Sequence, residues 1–286
     1  MSEEISPHEA IAANRTLWDS WTRVHRDSAF YDVPGFLAGR DPLDRIETEE
    51  LGDVAGKRFL HLQCHFGIDT LGWARRGARV TGVDFSPEAI ATARSLAVRA
   101  GLEATFVESD VHALDDHGLG DFDIVHTSYG VLSWLPDLSV WAKIIARHLA
   151  PGGLFHLVEN HPFLMMLDDE GVSIRWPYLA TGSPLRFESR ASYVAPIEDG
   201  PLPEYNWPHG VGDVVTALIE AGLRIAWLRE YPRSPYRFPG FLEERPEGEY
   251  GWPGGRDDIP LLFSIGARSA RTGSHAPDGD MRTGSS

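Results

Sequence analysis

The 286-residue chain has a single cysteine, few basic side chains and no long apolar run. A lone Cys64 cannot close an intramolecular disulfide, which fits a reducing cytoplasm. Lys plus Arg number 26 against 42 Asp plus Glu, a formal net charge of -16. So acidic a chain repels a phosphate backbone, and no local basic patch offsets the repulsion, so no nucleic-acid partner is expected. No apolar stretch approaches the ~20 residues that a membrane helix needs, and the acidic start, Met1 to Ala12, lacks the apolar core of a signal peptide. The expectation is a soluble, cytoplasmic protein without membrane contact. Residues Ser269 to Ser286, rich in Gly, Ser, Thr and Asp without periodicity, read as a disordered tail. The remaining composition, 42% hydrophobic and 24% charged, suffices for one large core, or a core with a small accessory lobe.

Ser6-Pro7-His8-Glu9 has the form of a capping box with proline at the first helical position. Behind it Ile11, Leu17, Trp18, Trp21, Val24 and His25 recur at helical spacing, predicting one helix to about Ser28. The aromatic cluster Phe30-Tyr31 then meets a Pro-Gly break. From Gly56 the pattern alternates. Strands are predicted at Lys57–Gln63, Ala78–Asp84, Ala104–Glu108, Asp123–Thr127 and Leu154–Glu159. Helices are predicted at Ile68–Arg76, from Ser86 to Gly101, and at Leu138–His148. Strands separated by helices of this length imply right-handed crossovers and a parallel sheet.

After Glu159 the alternation stops. Asn160 to Pro208 carries seven prolines and short β-like pieces such as Leu185–Val194, yet its aromatics argue against disorder. A helix at Asp213–Ala221 and strands at Leu223–Glu230 and Leu261–Ala267 complete the count. The fold expected is α/β: a doubly wound, mostly parallel seven-stranded sheet with helices on both faces. An N-terminal helical lid spans 1–50 and the main domain 51–268, with a small β-rich insertion at 160–208 after strand five and the tail at 269–286.

In a doubly wound sheet ligands bind beyond the carboxyl ends of the strands. There the sequence places Phe59-Leu60-His61-Leu62-Gln63-Cys64-His65-Phe66-Gly67, which resembles the glycine-rich first motif of class I S-adenosylmethionine-dependent methyltransferases. Only Gly67 of the three glycines is present; Gln63 and His65 fill the other positions, and His61 stands where the family often has an acid. Asp84 ends the second strand, 17 residues on, where the family's acid binds the ribose hydroxyls. Asp110, in Glu108-Ser109-Asp110-Val111, is where its acid often meets the adenine amino group. Asp121-Phe122-Asp123-Ile124-Val125 and Leu149-Ala150-Pro151-Gly152-Gly153 follow in order. The pattern from about Asn14 to Glu230 is similar to bacterial small-molecule members of that class.

The resemblance implies S-adenosyl-L-methionine as cofactor, held by Gln63, Cys64, His65, Gly67, Asp84, Phe85, Asp110, Val111 and Ser128. Plainer roles stand beside these: Asp84 as a turn residue, Asp110 as a cap. No metal is expected. His61, Cys64 and His65 suggest one, but a strand turns His61 and Cys64 to opposite faces and no fourth ligand stands near.

For the acceptor, Trp21, His25, Tyr31, Tyr205 and Trp207 are the expected substrate contacts, unless the first helix's aromatic stripe is ordinary core. His209 and His161 are the candidate bases, since a neutral histidine can take a proton near pH 7; either could instead be structural. The expected function is methyl transfer to an O or N of a small molecule. Two alternatives remain: a cofactor-binding protein without transfer activity, motivated by the altered glycines, and an NAD-dependent oxidoreductase.

Overall fold

The computed structural model describes residues 5–246 and 248–271. Helix α1 (Pro7–Arg26) begins with the expected capping box: Ser6 and Glu9 bond each other's backbone N–H. Two polar anchors fix α1 to the rest of the molecule. The Asn14 side chain bonds both the N–H and the C=O of Tyr205, at 2.9 and 2.7 Å. Asp19 accepts from the Ser86 hydroxyl at 2.6 Å and from the Glu88 N–H, at the start of α5 (Pro87–Ala100).

The Pro-Gly pair expected to break the chain lies inside a short helix, α2 (Val33–Leu37), because Asp32 caps the N–H of Gly35. A further helix, α3 (Arg45–Leu51), also escaped the periodicity reading: at seven residues it is too short to show a stripe, although Asp44 and Glu47 form its capping box.

The central sheet joins β1 (Arg58–Leu62), β2 (Arg79–Asp84), β3 (Thr105–Glu108), β4 (Phe122–Ser128) and β5 (Leu149–Asn160). β5 starts five residues before the expected Leu154, with the Ala-Pro-Gly-Gly turn as a register shift against β4. In the insertion, α7 (Pro162–Met165) precedes an antiparallel hairpin of β6 (Leu185–Ser189) and β7 (Leu202–Asn206). Then come α8 (Val211–Glu220), β8 (Leu223–Tyr231), a small three-stranded sheet of β9 (Arg233–Ser234), β10 (Glu243–Glu244) and β11 (Tyr250–Gly251), and finally β12 (Leu262–Ser269). The strand order is β3-β2-β1-β4-β5-β12-β8. The first five strands are parallel, and β12 runs antiparallel to both neighbours. Ser269, expected in the tail, closes β12; residues 272–286 of that tail lie outside the described residues.

Two apolar layers hold the sheet. On one face Leu60, Val125 and Phe155 pack with Trp141 and Ile145 of α6 (Leu138–His148) and Leu218 of α8. On the other, Phe59 stacks on Trp73 of α4 (Ile68–Arg75), and Phe66, Ile90 and Phe106 form a second cluster. Burying each such side chain contributes roughly 1.5–3 kcal/mol. Among the described residues no helix is long and apolar enough to cross a membrane.

Candidate active site

A cavity of about 1740 Å³ opens beyond the carboxyl ends of β1 to β5, walled by the loops that leave those strands, by α1 and by the insertion. That is larger than the roughly 300–1,000 Å³ of a site for one small ligand, so two molecules fit together.

The loop after β1 keeps the shape of a glycine-rich turn without the glycines. Gln63, His65 and Gly67 have φ of +54, +51 and +73°. Left-handed backbone at a non-glycine residue costs of order 1–3 kcal/mol, and local bonds offset it here. Gln63 Nε2 donates to Val131 O at 3.1 Å, the His65 N–H donates to Asp84 at 2.8 Å, and His65 Nε2 lies 2.9 Å from His25 Nδ1. At Gly67 no side chain fits, for a Cβ would sit 2.6 Å from the Phe106 ring.

Asp84 is held from both sides, Oδ2 by His65 N–H and Oδ1 by Ser86 N–H at 3.0 Å. Burial pushes its carboxyl up to about 6 against the pull of those N–H groups. The Phe85 N–H also bonds this carboxylate, and its remaining acceptor capacity faces the cavity. Asp110 sits in the same wall. Burial opposes its ionisation, but His112 bonds it through both ring and backbone, and its carboxyl stays below the usual range. Both bonds go to Oδ1.

The turn after β4 is organised by Glu159 at the end of β5. Its carboxylate accepts the N–H groups of Gly130, Val131 and Leu132 and of its neighbour Asn160. Burial nevertheless raises its pKa.

His209 reaches the cavity wall with Nε2 2.7 Å from Leu135 O, so that nitrogen donates and Nδ1 keeps its lone pair. Burial lowers its pKa, which keeps the ring neutral near pH 7.

The expected cofactor contacts Gln63, Cys64, His65, Gly67, Asp84, Phe85, Asp110, Val111 and Ser128 all line this one cavity, as do Trp21, Tyr31 and Trp207. Three expected contacts do not reach it. His161 is turned away: it caps α7 through Phe163 N–H and pairs with Glu230 at 3.0 Å. Tyr205 is buried against Ala10 beneath α1. His25 lies behind His65, which it supports, rather than on the wall. The aromatic stripe of α1 does both jobs weighed for it: Leu17 is core, while Trp18 and Trp21 pack edge-on against Trp134 at the cavity.

The sequence reading missed Glu47, Asp69, Tyr129, Trp134 and Tyr236, which also line the cavity. The spacing Asp44-x-x-Glu47 was a legible helix start; nothing local marks the others. Among the described residues no three His, Cys, Asp or Glu side chains are arranged to hold a metal ion.

Residues 59–153 match the family model described as a methyltransferase domain. Over that third of its length the chain is similar to methyltransferase domains. A ubiquinone biosynthesis O-methyltransferase of Cronobacter sakazakii is 32% identical over 158 residues, 53% of this chain and 57% of that protein. An uncharacterized methyltransferase of Synechocystis is 33% identical over 126 residues, 44% and 57% of the two chains. This chain thus spans less than two thirds of the length of these relatives. In three dimensions it is similar to the 1,6-didemethyltoxoflavin-N1-methyltransferase of Burkholderia thailandensis, solved with 1,6-didemethyltoxoflavin and S-adenosylhomocysteine bound. The TM-score is 0.54 at 19% identity, over 95% of this chain and 93% of that one. An S-adenosylmethionine-dependent methyltransferase of Mesorhizobium loti gives a TM-score of 0.53 at 21% identity, over 81% and 99%. At these identities the structural likeness is one of fold.

Proposed function

We propose that the protein binds S-adenosyl-L-methionine and transfers its methyl group to an O or N nucleophile of a small molecule, in the cytoplasm. The observation that carries the reading is Asp84: a buried carboxylate facing the cavity from the end of β2, with acceptor capacity left beside its backbone N–H partners. A vicinal ribose diol supplies two donors for it.

The other residues fit the cofactor's remaining parts. Asp110 Oδ2 is open to an adenine amino group, while Gln63 Oε1 and His65 Nδ1 are buried without a partner in the loop. Asp69 and Glu47 put two carboxyl groups on the wall, both of which burial holds toward the protonated form. The cofactor, when bound, supplies an electrophilic methyl on a sulfonium. Trp18, Trp21 and Trp134 exclude water from it, and aromatic faces attract such a cation. His209 Nδ1 is the acceptor for a proton on the incoming nucleophile.

The dinucleotide reading is not favoured. Its sheet would be wholly parallel in the order 3-2-1-4-5-6, whereas here antiparallel β12 lies between β5 and β8. Nor do the absent glycines favour a binder without activity, because Gln63 and His65 adopt the turn regardless. The test is tritiated methyl from S-adenosylmethionine offered with a panel of phenols, catechols and heterocyclic amines. Incorporation into one of them is expected. Tight S-adenosylhomocysteine binding with no incorporation anywhere would return the non-transferring reading.

A further inference from the structure

Three histidines stand side by side across the middle of the sheet. His61 pairs in register with His126 on β4, and His126 with His156 on β5. Register partners share a face, here the one covered by α3 and α4. His61 is satisfied separately by Thr70 and Ser128. The other two continue a chain of hydrogen bonds. His126 Nε2 lies 2.9 Å from Glu47 Oε1, His126 Nδ1 3.0 Å from His156 Nδ1, and His156 Nε2 2.8 Å from Glu50 Oε2. Glu47 is at the cavity wall. Glu50 is at the far end, beside the exposed Arg229.

The donors around Glu50 fix the direction of the chain. Its Oε1 accepts from Arg229 Nη1, Ser264 Oγ and Tyr231 OH, and its Oε2 from Trp227 Nε1. So many donors favour a carboxylate in the resting state, and His156 Nε2 then carries a hydrogen. With both rings neutral, each donates at one nitrogen and accepts at the other. His156 Nδ1 then accepts, His126 Nδ1 donates, His126 Nε2 accepts, and Glu47 donates as a carboxylic acid. The surroundings agree: burial, with Asp69 and Asp44 nearby, holds Glu47 protonated well above the usual carboxylate range, while the donors hold Glu50 down at about 2 despite its partial burial.

We propose that Glu47, His126, His156 and Glu50 form a proton shuttle that moves negative charge from Glu50 to the cavity-facing Glu47 when a cation occupies the cavity. Three protons each cross one hydrogen bond: Glu47 to His126 Nε2, His126 Nδ1 to His156 Nδ1, and His156 Nε2 to Glu50. No proton enters or leaves, and the charge crosses the sheet. The use of the shuttle rests on the methyl-transfer reading. Transfer forms a bond from the nucleophile to the methyl carbon, breaks the carbon–sulfur bond with its electron pair left on sulfur, and leaves one proton over. His209 Nδ1 takes that proton, and Glu47, ionised by the shuttle, supplies the negative charge facing the sulfonium while its Oε1 still accepts from His126. His209 releases the proton to water once the cavity empties, and with the cation gone the chain shifts back.

The geometry makes two near-isosteric variants behave oppositely. In Glu50→Gln the amide oxygen stays with Arg229, Ser264 and Tyr231, so its NH2 gives up the 3.3 Å bond from Trp227 Nε1, faces His156 Nε2 and forces that nitrogen to accept. Both histidines then reverse, and Glu47 becomes a carboxylate. In Glu47→Gln the oxygen stays with the Asp44 N–H, the NH2 faces His126 Nε2, and the resting direction is kept.

The test is nitrogen NMR of the ring nitrogens in the full-length, ligand-free protein, with infrared detection of the Glu47 carboxyl. Wild type and Glu47→Gln should carry hydrogen on His126 Nδ1 and His156 Nε2, and Glu50→Gln on His126 Nε2 and His156 Nδ1. An unchanged His126 in Glu50→Gln, or hydrogen on Nε2 of His126 in wild type, overturns the shuttle; the wild-type measurement suffices if a variant does not fold. In a second arm, calorimetry compares S-adenosylmethionine, a cation, with neutral S-adenosylhomocysteine. Their affinity ratio should rise about tenfold in Glu50→Gln and fall about tenfold in Glu47→Gln, as expected for one charge gained or lost near the ligand. Failure of both nucleosides to bind wild type would overturn the cofactor reading while the NMR result stood. An unchanged ratio with reversed histidines would overturn the role in sensing a cation.

Discussion

With Asp84 as the proposed ribose ligand, cofactor affinity should fall on acidification. In the ligand-free protein burial raises its carboxyl to about 6, above the ~3.9 of an unfolded Asp. Folding therefore gains from the protonated form: that contribution is full below the unfolded value and is lost as pH rises through about 6. A ribose diol reverses the preference, because its two hydroxyls donate to the ionised carboxylate and pull the bound pKa down. Below pH 6 binding must first remove a proton, so affinity should fall about tenfold per unit. Between pH 7 and pH 5 the loss should approach tenfold, or ~1.4 kcal/mol. Calorimetry with S-adenosylhomocysteine across that range measures it, with circular dichroism confirming the fold at each pH. Asp84→Asn removes the titrating group and the charge together. It should bind at least tenfold more weakly at pH 7, since charge-assisted bonds contribute roughly 1.5–3 kcal/mol each, and its affinity should be flat over the same range. Equal pH dependence in wild type and Asp84→Asn would refute the ribose role and point instead to another group, such as the Asp110–His112 pair.

Glu159→Gln should be costly although nearly isosteric, because its NH2 would oppose two of the four backbone N–H groups that the carboxylate now satisfies. A loss of about 2–5 kcal/mol by urea denaturation is expected, with weaker S-adenosylhomocysteine binding as the turn after β4 loosens; an unchanged midpoint would mean the turn holds itself. His209→Ala should lower turnover by about 10²–10⁴-fold while leaving S-adenosylhomocysteine affinity nearly intact. Turnover near wild type in a stable variant would remove His209 as the base, and His161, held by Glu230 outside the cavity, could not replace it.

The sequence by itself determined the layered α/β core and the place of the site. Strand and helix periodicities depend on local spacing, and Asp84, Asp110 and Gly67 stand at strand ends that periodicity locates. It also located the glycine-poor turn, though not that Gln63 and His65 would take its left-handed shape, since that depends on bonds to Val131, Asp84 and His25 far along the chain. Tertiary structure decided which of several equivalent-looking residues face the cavity. His161 and His209 both follow strands in sequence, but β8, which runs parallel to β5 across β12, set Glu230 beside one, and the turn after β4 set Leu135 O beside the other. It decided, too, that His126, unremarkable within its own strand, meets His156 from the next strand and Glu47 from α3. Side-chain periodicity tells which face of a strand a residue takes. Only the register between strands, and the helix laid across them, tell what it meets there.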